Sequence, residues 1–153
     1  KIIGDDSCLE QIIPSCQNAI LAIGQIKSSL KRIEISKKLE DLGFNFPIIS
    51  SSYSIISKHA KIGEGTTIGH GAIINAGAVI GKHCIINSQS LVEHDSKIGD
   101  FCHISTGALV NGGVNIGRES FIGSNSVIRE NLILPSKSLV SSGKQIMGWP
   151  LKN

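Results

Sequence analysis

Aromatic side chains are scarce in this 153-residue chain: four Phe, one Tyr and one Trp. So few rings, set against 27 Ile and 17 Gly, point away from a bulky irregular interior and toward thin, regular layers. Charge is also sparse. Only 18% of residues are charged while 41% are hydrophobic, a balance that excludes a disordered chain. The net charge of +3 is weak and evenly spread, which argues against nucleic acid as the main partner. No apolar run approaches the ~18 residues of a membrane-spanning helix. The four cysteines, Cys8, Cys16, Cys84 and Cys102, form no C-x-x-C pair and lack the density of a disulfide framework, so a reducing, cytoplasmic setting is expected. The chain opens at Lys1 without an initiator methionine and reads as a piece of a longer protein.

What the chain has is a repeat. From Ile56 an aliphatic residue returns every six positions: Ile56, Ile62, Ile68, Ile74, Ile80, Ile86, Val92, Ile98, Ile104, Val110, Ile116, Ile122, Ile128, Leu134, Val140 and Ile146. Four residues after each stands a small side chain in most repeats, as at Ala72, Ala78, Cys84, Ser90, Ser96, Cys102 and Ala108. Gly often follows the aliphatic, as at Gly63, Gly69, Gly81, Gly99, Gly117 and Gly123. A period of six fits neither a helix nor an uninterrupted strand. It fits short strands joined by regular corners, with three hexapeptides closing a triangular coil and coils stacking at roughly the 4.8 Å strand spacing. An ordinary sandwich of short strands would lose phase. The expected fold is therefore β, a parallel β-helix of about five coils; the hexapeptide pattern resembles the left-handed parallel β-helix, whose hand departs from the usual crossover rule.

The residue before each aliphatic should point outward. One face then carries Ile73, Leu91, Leu109 and Val127, a second Ile85, His103, Phe121 and Leu139, and a third the more mixed Val79, Lys97, Asn115 and Ile133. Two largely apolar outer faces suit a prism that meets two neighbours around a threefold axis, so a homotrimer is expected.

Residues 1–50 read differently. Asn18 to Gly24 suggests a buried strand, Ser28 or Ser29 a helix cap, Gly43 the helix stop, and Phe46 to Ile49 a further strand. Strand, Gly, helix, strand is half of a Rossmann-like α/β unit, whose ligands sit at the carboxyl ends of strands, where Gly24 falls. A Gly after a strand is more often only a turn. Ser50 to Ser52 is the expected boundary, giving a partial α/β segment at 1–50 and a β-helix domain at 51–153.

The histidines are His59, His70, His83, His94 and His103, with no pair about five apart to start a metal site on this fold, so no metal is expected. Cys84 and Cys102 lie eighteen apart and should stack inward as buried thiols. His94 stands at a corner in Leu91-Val92-Glu93-His94-Asp95. Eighteen residues below lie Ala76-Gly77 and eighteen above Gly112-Gly113, nearly bare backbone with room for a ligand. A His beside a carboxylate suits a general base, since the acid raises its pKa and orients its ring. Spacing alone equally allows a solvated corner histidine. His103 falls half a coil away and can meet such a corner only across a subunit interface.

These residues carry a resemblance. Ser90-Leu-Val-Glu-His94-Asp-Ser-Lys-Ile-Gly-Asp-Phe-Cys-His103-Ile-Ser-Thr-Gly-Ala resembles the sialic acid O-acetyltransferase (NeuD) and UDP-amino-sugar N-acetyltransferase (PglD) family. The Ala-Ile-Leu-Ala-Ile-Gly24 strand, the Val114-Asn-Ile-Gly-Arg-Glu-Ser-Phe-Ile-Gly-Ser coil and the closing Gly148-Trp149-Pro150-Leu151-Lys152, with Leu151 where the family has Ala, extend it over almost the whole chain. The resemblance implies an acetyl-CoA-dependent transferase without a metal. In it His94 matches the general base, Asp95 its carboxylate partner and Gly112 the backbone donor to the oxyanion. His103 matches a residue that contacts pantetheine, Ser124 and Ser142 match cofactor contacts, and Gly24 matches a nucleotide-sugar contact. The acceptor would be a sialic acid or a nucleotide-linked amino sugar, with O- and N-acetylation both open. A structural repeat protein such as an ice-binding prism would want a flat outward Thr array, which these faces lack. A non-catalytic homologue that binds sugar or nucleotide differs in one readout, the absence of thiol release from acetyl-CoA.

Overall fold

The computed structural model describes residue 2 and residues 4–148. The expected tail Trp149-Pro150-Leu151-Lys152 lies outside the described residues.

The repeats build a parallel β-solenoid. Its strands are two residues long, from Ile49–Ser50 to Gln145–Ile146. They stack into three parallel sheets of six, six and five strands. Every pairing steps by eighteen residues, as in Ile55↔Ile73, Val79↔Lys97 and His103↔Phe121. Three of the six-residue periods read from the aliphatics thus make the circumference of one coil. The column runs for about five coils, and its first strand pairs with Thr67–Ile68.

The inward aliphatics form one axial core. Ile74, Ile86, Val92, Ile104, Val110, Ile116, Ile122 and Ile128 are all fully buried, and the small residues Ala72, Ala78, Cys84, Ser90, Ser96, Cys102 and Ala108 fill the space at the corners between them. Buried hydroxyls and thiols are satisfied by corner carbonyls. Ser96 Oγ donates to Asn111 O at 2.8 Å, and Cys84 Sγ to Gly99 O at 3.1 Å. Cys84 and Cys102 are therefore the inward thiols expected.

The corners obey a rule of their own. Every sixth residue from position 65 to 143 has positive φ, the backbone of the third residue of a type II turn. Gly, Asn and Asp hold most of these places, but His83, Gln89, Phe101, Glu119 and Lys137 hold the others. The glycines after the aliphatics answer a different need. A Cβ on Gly63 would lie 2.5 Å from the carbonyl carbon of Gly81 in the next coil. Coils at that corner close only on bare backbone.

The N-terminal segment departs from the expected half of a Rossmann-like unit. The helix is there, Leu30–Asp41, with Leu30 N–H donating to Ser28 Oγ at 3.2 Å and Gly43 at φ 88 just beyond its end. The two flanking strands shrink to a single parallel bridge, Asn18↔Asn45. Two extended segments with no third beside them among the described residues cannot propagate a sheet, so the rest of 18–24 runs as irregular extended chain.

That segment covers one outer face of the column. Gln25 Oε1 accepts from Arg32 Nη1 at 3.0 Å, and the Gln25 amide donates to Phe101 O. Ser29 Oγ donates to a Glu119 carboxylate oxygen at 3.0 Å. Phe46 meets His83 edge-on, and His83 stacks on Phe101. Of the face of Ile85, His103, Phe121 and Leu139, expected to await a neighbouring subunit, the first three are covered by the chain itself, with His103 and Phe121 buried, while Leu139 stays 50% exposed. The row Ile55, Ile73, Leu91, Leu109 and Val127 stays uncovered, with Ile55 64% exposed and Leu109 36%, as does the mixed face at Val79, Lys97, Asn115 and Ile133.

Candidate functional site

One corner gathers the groups with chemistry. It lies between the uncovered apolar face and the mixed face, where Val92 ends one strand and Lys97 begins the next. Glu93, His94 and Asp95 form its turn. Asp95 takes the positive-φ place at φ 61, which a short polar side chain tolerates. Asp95 N–H donates to Ala76 O at 3.1 Å, and Gly113 N–H donates to His94 O at 2.9 Å. The corner is thus pinned to the coils below and above it.

His94 Nδ1 lies 2.9 Å from Asp95 Oδ2. The carboxylate can only accept, so Nδ1 carries a proton, and in the neutral imidazole Nε2 keeps its lone pair. Both side chains are solvent-exposed, 65% for His94 and 72% for Asp95. The hydrogen bond to Asp95, reinforced by the charges of Asp95 and Glu93, holds the His94 pKa above its ordinary value. Glu93 accepts from Asn75 Nδ2 at 2.8 Å, which ties the loop to the coil beneath.

The flanking glycines make room for the His94 and Asp95 side chains. A Cβ on Gly112 would lie 2.7 Å from His94 Nε2, so the imidazole rests directly over its bare backbone. A Cβ on Gly77 would occupy the place of Asp95 Oδ1. Each glycine houses one half of the His–Asp pair. The Gly112 N–H donates to no group among the described residues.

The other expected site residues lie elsewhere on the prism. Ser124 and Ser142 stack eighteen apart on the corner between the covered and the apolar face, with Ser124 Oγ 2.9 Å from Ser105 Oγ. His103 is buried, its Nδ1 2.8 Å from the main-chain oxygen of Gln25 and its Nε2 3.4 Å from Asn87 Nδ2 on that same corner. Burial pushes its pKa below the ordinary imidazole value. Gly24 sits at the rim of a groove of about 290 Å³ formed by 20–24 with Thr67 and Ile85. One chain therefore brings His94, Asp95 and Gly112 together and holds Ser124 and Ser142 at a different corner.

Sequence reasoning missed His83 and Arg32. His83 is buried between Phe46 and Phe101, and Arg32 is buried with Nε and Nη2 unpartnered. Among the described residues no three His, Cys, Asp or Glu side chains converge as a metal would require. No helix among them is long and apolar enough to cross a membrane.

Residues 59–94 and 95–130 match the family described as bacterial transferase hexapeptide (six repeats). No curated protein matches the chain. Several solved structures are similar. One is a mutant of perosamine N-acetyltransferase from Caulobacter crescentus, in complex with CoA and GDP-perosamine. It is 25% identical with a TM-score of 0.90, over 95% of this chain and 69% of that one. PerB from the same organism, with the same two ligands, is 26% identical with a TM-score of 0.90, over 95% and 70%. The acetyltransferase domain of PglB from Neisseria gonorrhoeae FA1090, in complex with acetyl coenzyme A, is 28% identical with a TM-score of 0.86, over 95% and 71%.

Proposed function

We propose that this chain is a hexapeptide-repeat, left-handed β-helix acetyltransferase that moves an acetyl group from acetyl-CoA to the amine of a nucleotide-linked sugar, as a cytoplasmic homotrimer. The observation that carries the reading is the His94–Asp95 pair seated on Gly112, with Nε2 left free of any hydrogen bond among the described residues and an unused backbone N–H beneath the ring. The similar structures support the donor and the class of acceptor, since those proteins are solved with CoA, acetyl-CoA and GDP-perosamine. The uncovered row from Ile55 to Val127 supports the trimer, in which one chain's His94 corner meets the Ser124 and Ser142 corner of the next. No metal takes part.

In this site coenzyme A lies in the groove between two prisms along Ser124 and Ser142. His103, neutral in its buried place, borders the groove through Asn87. The acceptor amine attacks the thioester carbonyl carbon and forms the C–N bond. His94 Nε2 takes the proton it releases, and Asp95 stabilises the imidazolium that results. The carbonyl oxygen gains negative charge and meets the Gly112 N–H, a donor worth about 3 kcal/mol in such a role. Collapse of the tetrahedral species breaks the C–S bond, and His94 returns the proton to the departing thiolate. A hydroxyl acceptor, as on a sialic acid, would follow the same course. Gly24 contributes to holding the nucleotide.

The test is thiol release from acetyl-CoA with GDP-perosamine and with N-acetylneuraminate, with products identified by mass spectrometry. Release with an acceptor, lowered about a hundredfold or more in His94→Ala without loss of assembly, is expected. Binding of CoA with no release for either acceptor would favour the non-catalytic homologue.

A further inference from the structure

The corner that carries Ser124 and Ser142 also carries, toward its other end, the one tyrosine of the chain. Tyr53 is 75% exposed. Its ring stacks on His70 with centroids 5.9 Å apart and planes 21° apart. Gly71 N–H donates to Tyr53 O at 3.2 Å, so two successive turns hold the rings in register. Two stacked aromatic rings, both residues exposed, leave an outer ring face and a run of ring edges that the fold itself does not bury.

From these positions we propose that the Tyr53–His70 shelf receives the sugar ring of the acceptor. The inference rests on the transferase reading above and adds to it the place of the second substrate.

The argument is one of height along the column. Coils rise roughly 4.8 Å each. Threefold-related prisms stand level, so the His94 of the partner subunit faces the groove at the height of His94 itself. Ser124 and Ser142 lie in coils above that height and accept the donor. The groove below is left for the acceptor. His70 falls about 6 Å below and Tyr53 about 11 Å below on the same rise per coil. That span places a six-membered ring against the shelf with its amine reaching up to the thioester. The Gly24 rim agrees. It borders Thr67, three residues before His70, so the proposed nucleotide contact and the shelf lie on either side of a single turn. The face of an aromatic ring carries partial negative charge and meets the polarised C–H groups of a pyranose.

The test uses the lone tyrosine as its own reporter. In protein labelled with ¹³C-tyrosine, GDP-perosamine should shift the Tyr53 ring resonance, and CoA alone should leave it in place. Tyr53→Ala and His70→Ala should each raise the KM for GDP-perosamine about three- to tenfold, with the KM for acetyl-CoA, assembly and Tm unchanged. Tyr53→Phe, which keeps the shelf, should retain the wild-type KM. Acetyl transfer by the wild type, together with an unshifted Tyr53 resonance and an unchanged acceptor KM in both alanine variants, would overturn the shelf and leave the transferase reading standing. Absence of transfer in the wild type would defeat that reading, and the resonance would still decide whether the sugar sits on Tyr53.

Discussion

Replacing Gly112 with Ala adds one methyl group where the structure has none to spare. The new Cβ would stand 2.7 Å from His94 Nε2 and 2.8 Å from Cε1. Carbon contacts settle near 3.5–4.0 Å, so the ring must retreat by about 0.8 Å or more. It cannot do so while keeping Nδ1 at 2.9 Å from Asp95. Misplacement of about 1 Å in reacting groups costs on the order of a hundredfold in rate. The fold should not notice. The backbone of Gly112 lies outside the left-handed region, and the group it strikes is the tip of a side chain 65% exposed. Removing a glycine narrows the unfolded ensemble, which stabilises by about 0.4–1 kcal/mol at a compatible site. The variant also keeps its N–H, so the oxyanion donor survives while the base is displaced. The expected outcome is a kcat lowered about a hundredfold, a Tm equal to or slightly above wild type, and unchanged coenzyme binding, measured by thiol release and calorimetry. A kcat within threefold of wild type would refute the claim that His94 must rest on bare backbone to work.

Three further outcomes follow from named contacts. Because Asp95 holds the His94 pKa above its ordinary value and the base acts in its neutral form, Asp95→Asn should move the acid limb of kcat/KM to lower pH and reduce the plateau about tenfold or more; an unmoved limb would separate the two residues. Burial pushes the Cys84 thiol up strongly and that of Cys102 up to about 12, so a disulfide exchange reagent should modify only Cys8 and Cys16 in the folded protein and all four on denaturation. His83 and His103 have pKa values depressed by burial beside the Arg32 cation, with the Glu40, Glu64 and Lys82 charges also facing His83. Their neutral forms stabilise the folded chain fully above about pH 6.5, and that contribution drains away as pH falls below it. The Tm should therefore drop between pH 7 and pH 5, and less so in His83→Phe; a flat profile would mean the seam under the N-terminal segment does not sense protons.

Much of the fold was legible because burial in a solenoid is periodic. Each of Ile74, Val92 and Val110 sits one coil above the last, so a count of eighteen is a physical distance. The His94 corner was legible for the same reason, as Gly77 and Gly112 could be placed against it by counting alone. Counting could not tell what the space was for. Only coordinates reveal that Asp95 and His94 themselves occupy it. Nor did spacing mark the positive-φ places of His83 and Phe101, since a side chain stabilised there by stacking leaves no glycine behind as a signal. The N-terminal segment was misjudged for want of partners. Its Asn18 and Asn45 bridge pairs two extended segments only, and its apolar residues Leu21, Leu39, Phe44 and Phe46 instead bury together with Phe101 of the column.

Whether the site is shared between subunits can be read from mixed assemblies. Chains carrying His94→Ala and chains carrying Ser124→Trp should each be inactive alone, the first without a base and the second with its coenzyme groove blocked. Co-expressed in equal amounts, they should recover about a quarter of wild-type activity, since one interface in four then joins an intact His94 to an intact Ser124 of the next chain. No recovery in assemblies verified to contain both chains would contradict a site built from two prisms.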